Sequence, residues 1–159
     1  MRYEDAMSEA LQLAGQAARA GDVPVGAVVL DSSGVCIGRG RNRREQGDPM
    51  AHAEVDAIRQ AVVHLKSSAG SSRRESPWNL SGCTLVVTLE PCPMCAGAVV
   101  QAHIDRVVFG AWDEGMGACG SVWDIPRDPH VGHRAEVIGG VCEGECASIL
   151  RRFFADGRR

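Results

Sequence analysis

Cys92 and Cys95 stand three residues apart in the string Glu90-Pro91-Cys92-Pro93-Met94-Cys95, and a His-x-Glu pair, His52 and Glu54, lies upstream. At the start of a helix this spacing turns both sulfurs to one side, and an imidazole brought against them makes three ligands for zinc. Two distant segments must therefore meet in space, which constrains the fold more than any other feature. Three protein ligands with no evident fourth is the donor set of a catalytic zinc, whose vacant corner takes water. Glu54, two residues beyond the histidine, is placed to reach that water without binding the ion. A Cys-x-x-Cys pair alone also serves redox dithiols and structural zinc sites. The competing arrangement closes the site with a fourth thiol, such as Cys36 or Cys83, and leaves Glu54 without a task.

At 159 residues the chain is expected to form one domain, 1–159, with a sizeable core. Aromatic residues make up only 4% against 45% hydrophobic, so Val, Ala, Leu and Ile must build that core. No apolar run approaches the ~20 residues that span a bilayer. The start, Met1-Arg2-Tyr3-Glu4-Asp5, lacks the pattern of a signal peptide. Seven cysteines is an odd number, and two belong to the metal motif, which argues against a disulfide framework. A cytoplasmic location is expected. The net charge of −3 argues against polyanion binding by the whole surface. Arginines nevertheless cluster at 39, 41, 43 and 44, at 73 and 74, and at 151, 152, 158 and 159, while Lys66 is the single lysine. Such clusters also arise as ordinary solvated faces, and alone they do not establish a nucleic-acid site.

Apolar and small residues at Met7, Ala10, Leu11, Ala14, Ala17 and Ala18 predict a helix over 2–20, stopped by Gly21. Val25–Leu30 reads as a buried strand, and Val35–Gly38 as its hairpin partner across Asp31-Ser32-Ser33-Gly34. Asp48-Pro49 has the form of an N-cap followed by a first-turn proline, predicting a helix to about Leu65 with His52 and Glu54 in its first turns. Residues 66–77 are polar and read as a surface loop. Thr84–Leu89 is a strand, and the cysteine motif opens a helix from Pro93 to about His103, where the helix dipole favours thiolates. Arg106–Phe109 is a strand, 110–129 is Gly-rich loop, Val137–Val141 a last strand and Cys142–Phe154 a closing helix. The order α-β-β-α-β-α-β-β-α implies parallel pairing in the second half, hence a mixed sheet with helices on both faces and a site at helix starts. Trp112, Trp123 and the histidines at 64, 103, 130 and 133 are expected in packing or surface roles. Cys142, Cys146 and nearby Cys119 are expected as reduced core thiols.

The motifs carry the His-x-Glu and Pro-Cys-x-x-Cys signature of zinc-dependent base deaminases. Further strings narrow the likeness: Val23-Pro24-Val25-Gly26-Ala27-Val28, Val87-Thr88-Leu89-Glu90, Met94-Cys95-Ala96-Gly97-Ala98, Arg106-Val107-Val108-Phe109-Gly110-Ala111 and Phe153-Phe154. Through these the chain resembles the bacterial tRNA adenosine deaminases, within the cytidine-deaminase-like enzymes, over almost its whole length. The resemblance implies a three-layer α/β/α fold with a mixed five-stranded sheet and a homodimer with a site near each subunit boundary. It also implies hydrolysis of adenosine to inosine at the wobble position in a tRNA anticodon loop. His52, Cys92 and Cys95 would hold zinc, and Glu54 would carry protons from water to the adenine ring and the leaving amine. Asn42 would contact the nucleoside, Val25 wall the pocket and Asp113 meet the anticodon-loop backbone. One of Phe153 and Phe154 would stack on a base, and Arg158 would meet phosphate. Departures fall around the substrate or in loops: Gly115-Met116-Gly117 replaces a common Lys-Thr-Gly, Gly132 a usual Asn, and Met50 a usual Thr. Two other functions fit the residues less well. A free-base or nucleotide deaminase, of guanine or cytosine type, has no use for the arginine-bearing tail. A non-catalytic zinc-stabilised RNA-binding module has none for Glu54.

Overall fold

Alternate residues of the Val-rich strands serve two different cores, and that alternation sets the layers. In the computed structural model, which describes residues 1–68 and 78–157, the elements are α1 (Tyr3–Arg19), β1 (Gly26–Leu30), β2 (Cys36–Arg41), α2 (Ala53–Ser68), β3 (Thr84–Leu89), α3 (Pro93–Gln101), β4 (Arg106–Ala111), β5 (Glu136–Ile138) and α4 (Glu143–Ala155). Ala27, Val29, Leu85, Val87, Val107 and Phe109 face α2 and α3. Their neighbours Val28, Leu30, Val86 and Val108 face α1 and α4. Period-2 side-chain alternation thus gives a sheet buried on both sides, a three-layer α/β/α fold.

The strands run in the order β2-β1-β3-β4-β5. β1 is antiparallel to β2 and β3, whereas β3, β4 and β5 are mutually parallel in sequence along the sheet. The mixed five-stranded sheet is as expected. Its scarcity of aromatics is offset by close approach. A Cβ on Gly26 would overlap the Ala10 carbonyl oxygen, and one on Gly40 would overlap that of Ala53. The helices present Ala6, Ala10, Ala14 and Ala17 on α1, and Ala53, Ala57 and Ala61 on α2. Small residues on both sides let helix backbone sit directly on strand backbone.

Boundaries differ in instructive places. β2 is longer than expected, and β5 is short. α2 extends through Lys66, Ser67 and Ser68, and both serine hydroxyls donate to carbonyls one turn back, Val63 and His64, at 3.0 and 2.9 Å. The rest of the expected 66–77 loop lies outside the described residues, as do Arg158 and Arg159. No helix among the described residues is long and apolar enough to cross a membrane.

Candidate zinc centre and substrate cavity

His52 lies immediately before α2 rather than within its first turns. Asp48 does not cap the helix, because its Oδ1 accepts the Met50 N–H at 3.0 Å and its carbonyl the Ala51 N–H at 3.1 Å, closing a turn. The His52 N–H donates to Met50 O at 2.8 Å. The capping acceptor comes from outside: Asn42 Oδ1 takes the Ala53 N–H at 3.0 Å. On the other side Cys92 is the N-cap of α3, with Pro93 entering the first turn and Cys95 buried one turn in. Two helix starts therefore face each other.

Between them His52 Nδ1 is 3.7 Å from Cys92 Sγ and 3.5 Å from Cys95 Sγ. A tetrahedral zinc with ordinary bond lengths holds nitrogen and sulfur about 3.6 Å apart, so the donor set fits that ion. All three ligand atoms lie within 4.8 Å of one another, and no other histidine, cysteine or acid among the described residues joins the group. Cys36 starts β2 and Cys83 precedes β3, so neither supplies a fourth ligand. A hydrogen bond from Cys95 pulls the Cys92 thiol down to about 4 against burial, with His52 assisting. The same bond, with burial, pushes Cys95 up. The hydrogen bond with Cys92 raises His52. A metal takes both sulfurs as thiolates and the imidazole as a neutral ring, so its binding there is coupled to proton release.

Glu54 is buried at the start of α2, 4% exposed, and desolvation raises its carboxyl to about 7. It lines a cavity of about 480 Å³ together with Val25, Asn42, His52, Cys92 and Asp113, so the expected pocket residues do converge. Asp113 Oδ1 accepts the N–H groups of Gly115 and Met116 at 3.1 and 3.0 Å, which folds its own turn at the cavity edge. Phe153 is buried and Phe154 is 53% exposed, their rings edge to face at 5.4 Å. Neither lines the cavity. Arg158 lies outside the described residues.

Glu90 is the residue that motif reading overlooked. It is 2% exposed, and its two oxygens accept N–H groups from Asp113 (2.9 Å), Cys119 (3.2 Å) and Ser121 (2.9 Å), plus the Ser121 hydroxyl. One carboxylate thus fastens the loop after β4 over the cavity. A Cβ at Gly117 would overlap that carboxylate, which accounts for a glycine there. The signal was a charged residue at the end of an apolar strand, hidden inside the metal motif.

The arginine cluster at 39–44 divides. Arg39 pairs with Glu9, and Arg43 holds Asp56 through two bonds at 2.7 and 3.0 Å. Arg44 lines the cavity instead. Other expectations hold or shift. His103 stacks on His133 at 4.8 Å, His130 pairs with Asp128, and Trp112 packs edge-on against Phe109 at 4.7 Å. Cys36, Cys92, Cys95, Cys119, Cys142 and Cys146 are unbridged thiols. Cys119, however, belongs to the α2–α3 core and Cys146 to the α1–α4 core, so the sheet separates them.

Residues 1–111 match the family model of the cytidine and deoxycytidylate deaminase zinc-binding region. A tRNA-specific adenosine deaminase of Bacillus subtilis is 42% identical over 154 residues, 96% of this chain and 89% of that protein. The chain belongs to the tRNA-specific adenosine deaminase branch of the zinc-binding deaminases. A structure from a study of A-to-I editing by tRNA:A34 deaminases at the wobble position of transfer RNA superimposes on this chain with a TM-score of 0.81. That match has 39% identity and covers 92% of this chain and 99% of the other. A guanine deaminase from Nitrosomonas europaea aligns with a TM-score of 0.73 at 27% identity, covering 96% and 84% of the two chains. A tRNA(Ile)-lysidine synthase of Deinococcus radiodurans is 51% identical over 155 residues, 97% of this chain. The chain spans 25% of that relative's length.

Proposed function

We propose that this deaminase hydrolyses adenosine to inosine at the wobble position of a tRNA anticodon loop. The observation that carries the chemistry is Glu54, a buried carboxylate in a cavity beside a group of one imidazole and two thiols. His52, Cys92 and Cys95 hold zinc, and when bound the ion makes a water acidic enough to act as nucleophile near neutral pH. Burial keeps Glu54 near the middle of the proton scale, as a residue that both accepts and returns a proton needs. Glu54 takes a proton from the attacking water and delivers it to N1 of adenine. It then serves the exocyclic amine, so that adenosine and water give inosine and ammonia.

The other residues hold the base. With Oδ1 fixed on Ala53, Asn42 has its amide NH2 to donate. Val25 forms an apolar wall, and Asp113 with its turn borders the mouth. Phe154, exposed near the end of α4 and outside the cavity lining, offers a stacking surface for a neighbouring nucleotide. The tRNA assignment rests on the likeness to the Bacillus subtilis enzyme over nearly its full length. A single catalytic domain over 1–159, a homodimer and a cytoplasmic setting complete the reading.

The guanine deaminase likeness supplies the second reading. Zinc-loaded protein incubated with an anticodon stem-loop carrying a wobble adenosine, and separately with free guanine and cytosine, decides between them. Inosine in the digested stem-loop is expected. Ammonia from guanine or cytosine with no inosine in the RNA overturns the proposal.

A further inference from the structure

We infer that Arg44 is a phosphate contact at the mouth of the cavity, and that buried Asp22 is the positioning residue that holds it there. This rests on the reading above, in which a nucleotide within an RNA chain enters the cavity. Among the residues lining that cavity Arg44 is the only arginine or lysine, and the acids Glu54, Glu90 and Asp113 line it too. Neighbouring guanidiniums are already engaged: Arg39 with Glu9 and Arg43 with Asp56. Arg44 forms no ion pair among the described residues, although it is exposed on the same segment. An arginine left without an acid at the rim of a nucleotide cavity is placed to meet the phosphodiester on one side of the base drawn in.

What fixes Arg44 is a carboxylate from a distant part of the chain. Arg44 begins a single turn of 3-10 helix, Arg44–Gln46, which Gly47 ends at φ 97°. A turn this short has little stability of its own. Asp22, just past the end of α1, is 3% exposed, and its Oδ2 accepts the Glu45 N–H at 2.9 Å. Its Oδ1 accepts the Val23 N–H at 3.0 Å. Val23 also lines the cavity. One buried carboxylate thus links the Val23–Val25 wall to the segment that bears Arg44, and sets the distance across the mouth. Burial takes water from this carboxylate, and each of its oxygens meets a backbone donor instead.

Kinetics of the zinc-loaded full chain on the stem-loop RNA test this. Arg44→Gln is expected to raise KM about tenfold with kcat nearly unchanged, and to lower the salt dependence of kcat/KM by roughly one phosphate contact. Arg44→Lys should restore the salt dependence. Asp22→Asn offers one acceptor where two donors wait, so it should reproduce the KM effect, and the double variant should lose no more than Arg44→Gln alone. A KM and salt slope equal to wild type in Arg44→Gln, with wild type converting the RNA, overturn the inference and leave the function standing. Additive losses in the double variant overturn the role of Asp22. If Asp22→Asn fails to fold, Arg44→Gln still decides the phosphate contact. A wild type that leaves the RNA unconverted takes the function with it.

Discussion

At the scale of single residues, two carboxylates with similar burial do unlike work, and their hydrogen bonds tell them apart. Glu54 faces the cavity and burial raises it to about 7, whereas Glu90 accepts backbone N–H groups from three loop residues. Glu54→Gln removes the proposed proton carrier but none of the three grouped metal donors. It should retain stoichiometric zinc while kcat falls by about 10²–10⁴-fold, checked by metal analysis beside single-turnover inosine formation. Normal turnover in that variant would end the assignment. Glu90→Gln puts an amide NH2 where backbone N–H groups point, so at least one buried donor loses its acceptor at a cost of ~1–3 kcal/mol. Hydrogen exchange at Asp113, Cys119 and Ser121 should accelerate, with the zinc content unchanged. Protection equal to wild type would show that the loop is held by something else. That His52, Cys92 and Cys95 would meet, with Glu54 beside them, was legible because spacing and residue type alone point to one locus. Glu90 was not, since its partners lie more than twenty positions away in the chain and only folding brings them together.

At the scale of elements, strands and helix faces were readable from local periodicity, because each strand's alternate residues meet different layers. The start of α2 was not. Asp48-Pro49 satisfies every local rule for a helix start, yet the acceptor that begins the helix is Asn42, delivered by the exit of β2. Capping by a remote side chain leaves no local trace. The same junction depends on Gly40, whose missing side chain lets β2 approach the Ala53 carbonyl at the first turn of α2. Gly40→Ala inserts a methyl against backbone that has no rotamer to yield, so α2 must move outward and carry His52 and Glu54 with it. A loss of ~1–3 kcal/mol is expected, a fall of several degrees in Tm, with kcat reduced more than a surface variant of equal stability. Thermal melts and kinetics of Gly40→Ala beside a control such as Gln12→Ala measure both. Equal activity per folded molecule would show that α2 is not displaced.

For the whole molecule, the layers place the candidate zinc ligands and Glu54 on one side of the sheet. α2 and α3 pack on the same face, and their starts bring His52 to Cys92 and Cys95 across chain that includes a complete central strand. A zinc held there ties two helices that otherwise touch mainly through the sheet, and it binds the folded chain far better than the unfolded one. Mass action then makes stability depend on free metal: occupancy at a thousand times the dissociation constant adds about 4 kcal/mol. For a chain of this size that corresponds to a rise of roughly 8–16 °C in Tm. The sheet itself is held by two apolar cores that need no metal, so removal should loosen the junction without dissolving the fold. Dialysis against a strong chelator is therefore expected to abolish inosine formation and lower Tm, while far-UV circular dichroism keeps its helical and strand signal. Stoichiometric zinc should restore both rate and Tm. Metal loss proven by elemental analysis, with rate and Tm unchanged, would mean that the imidazole and the two thiols are not where the chemistry happens.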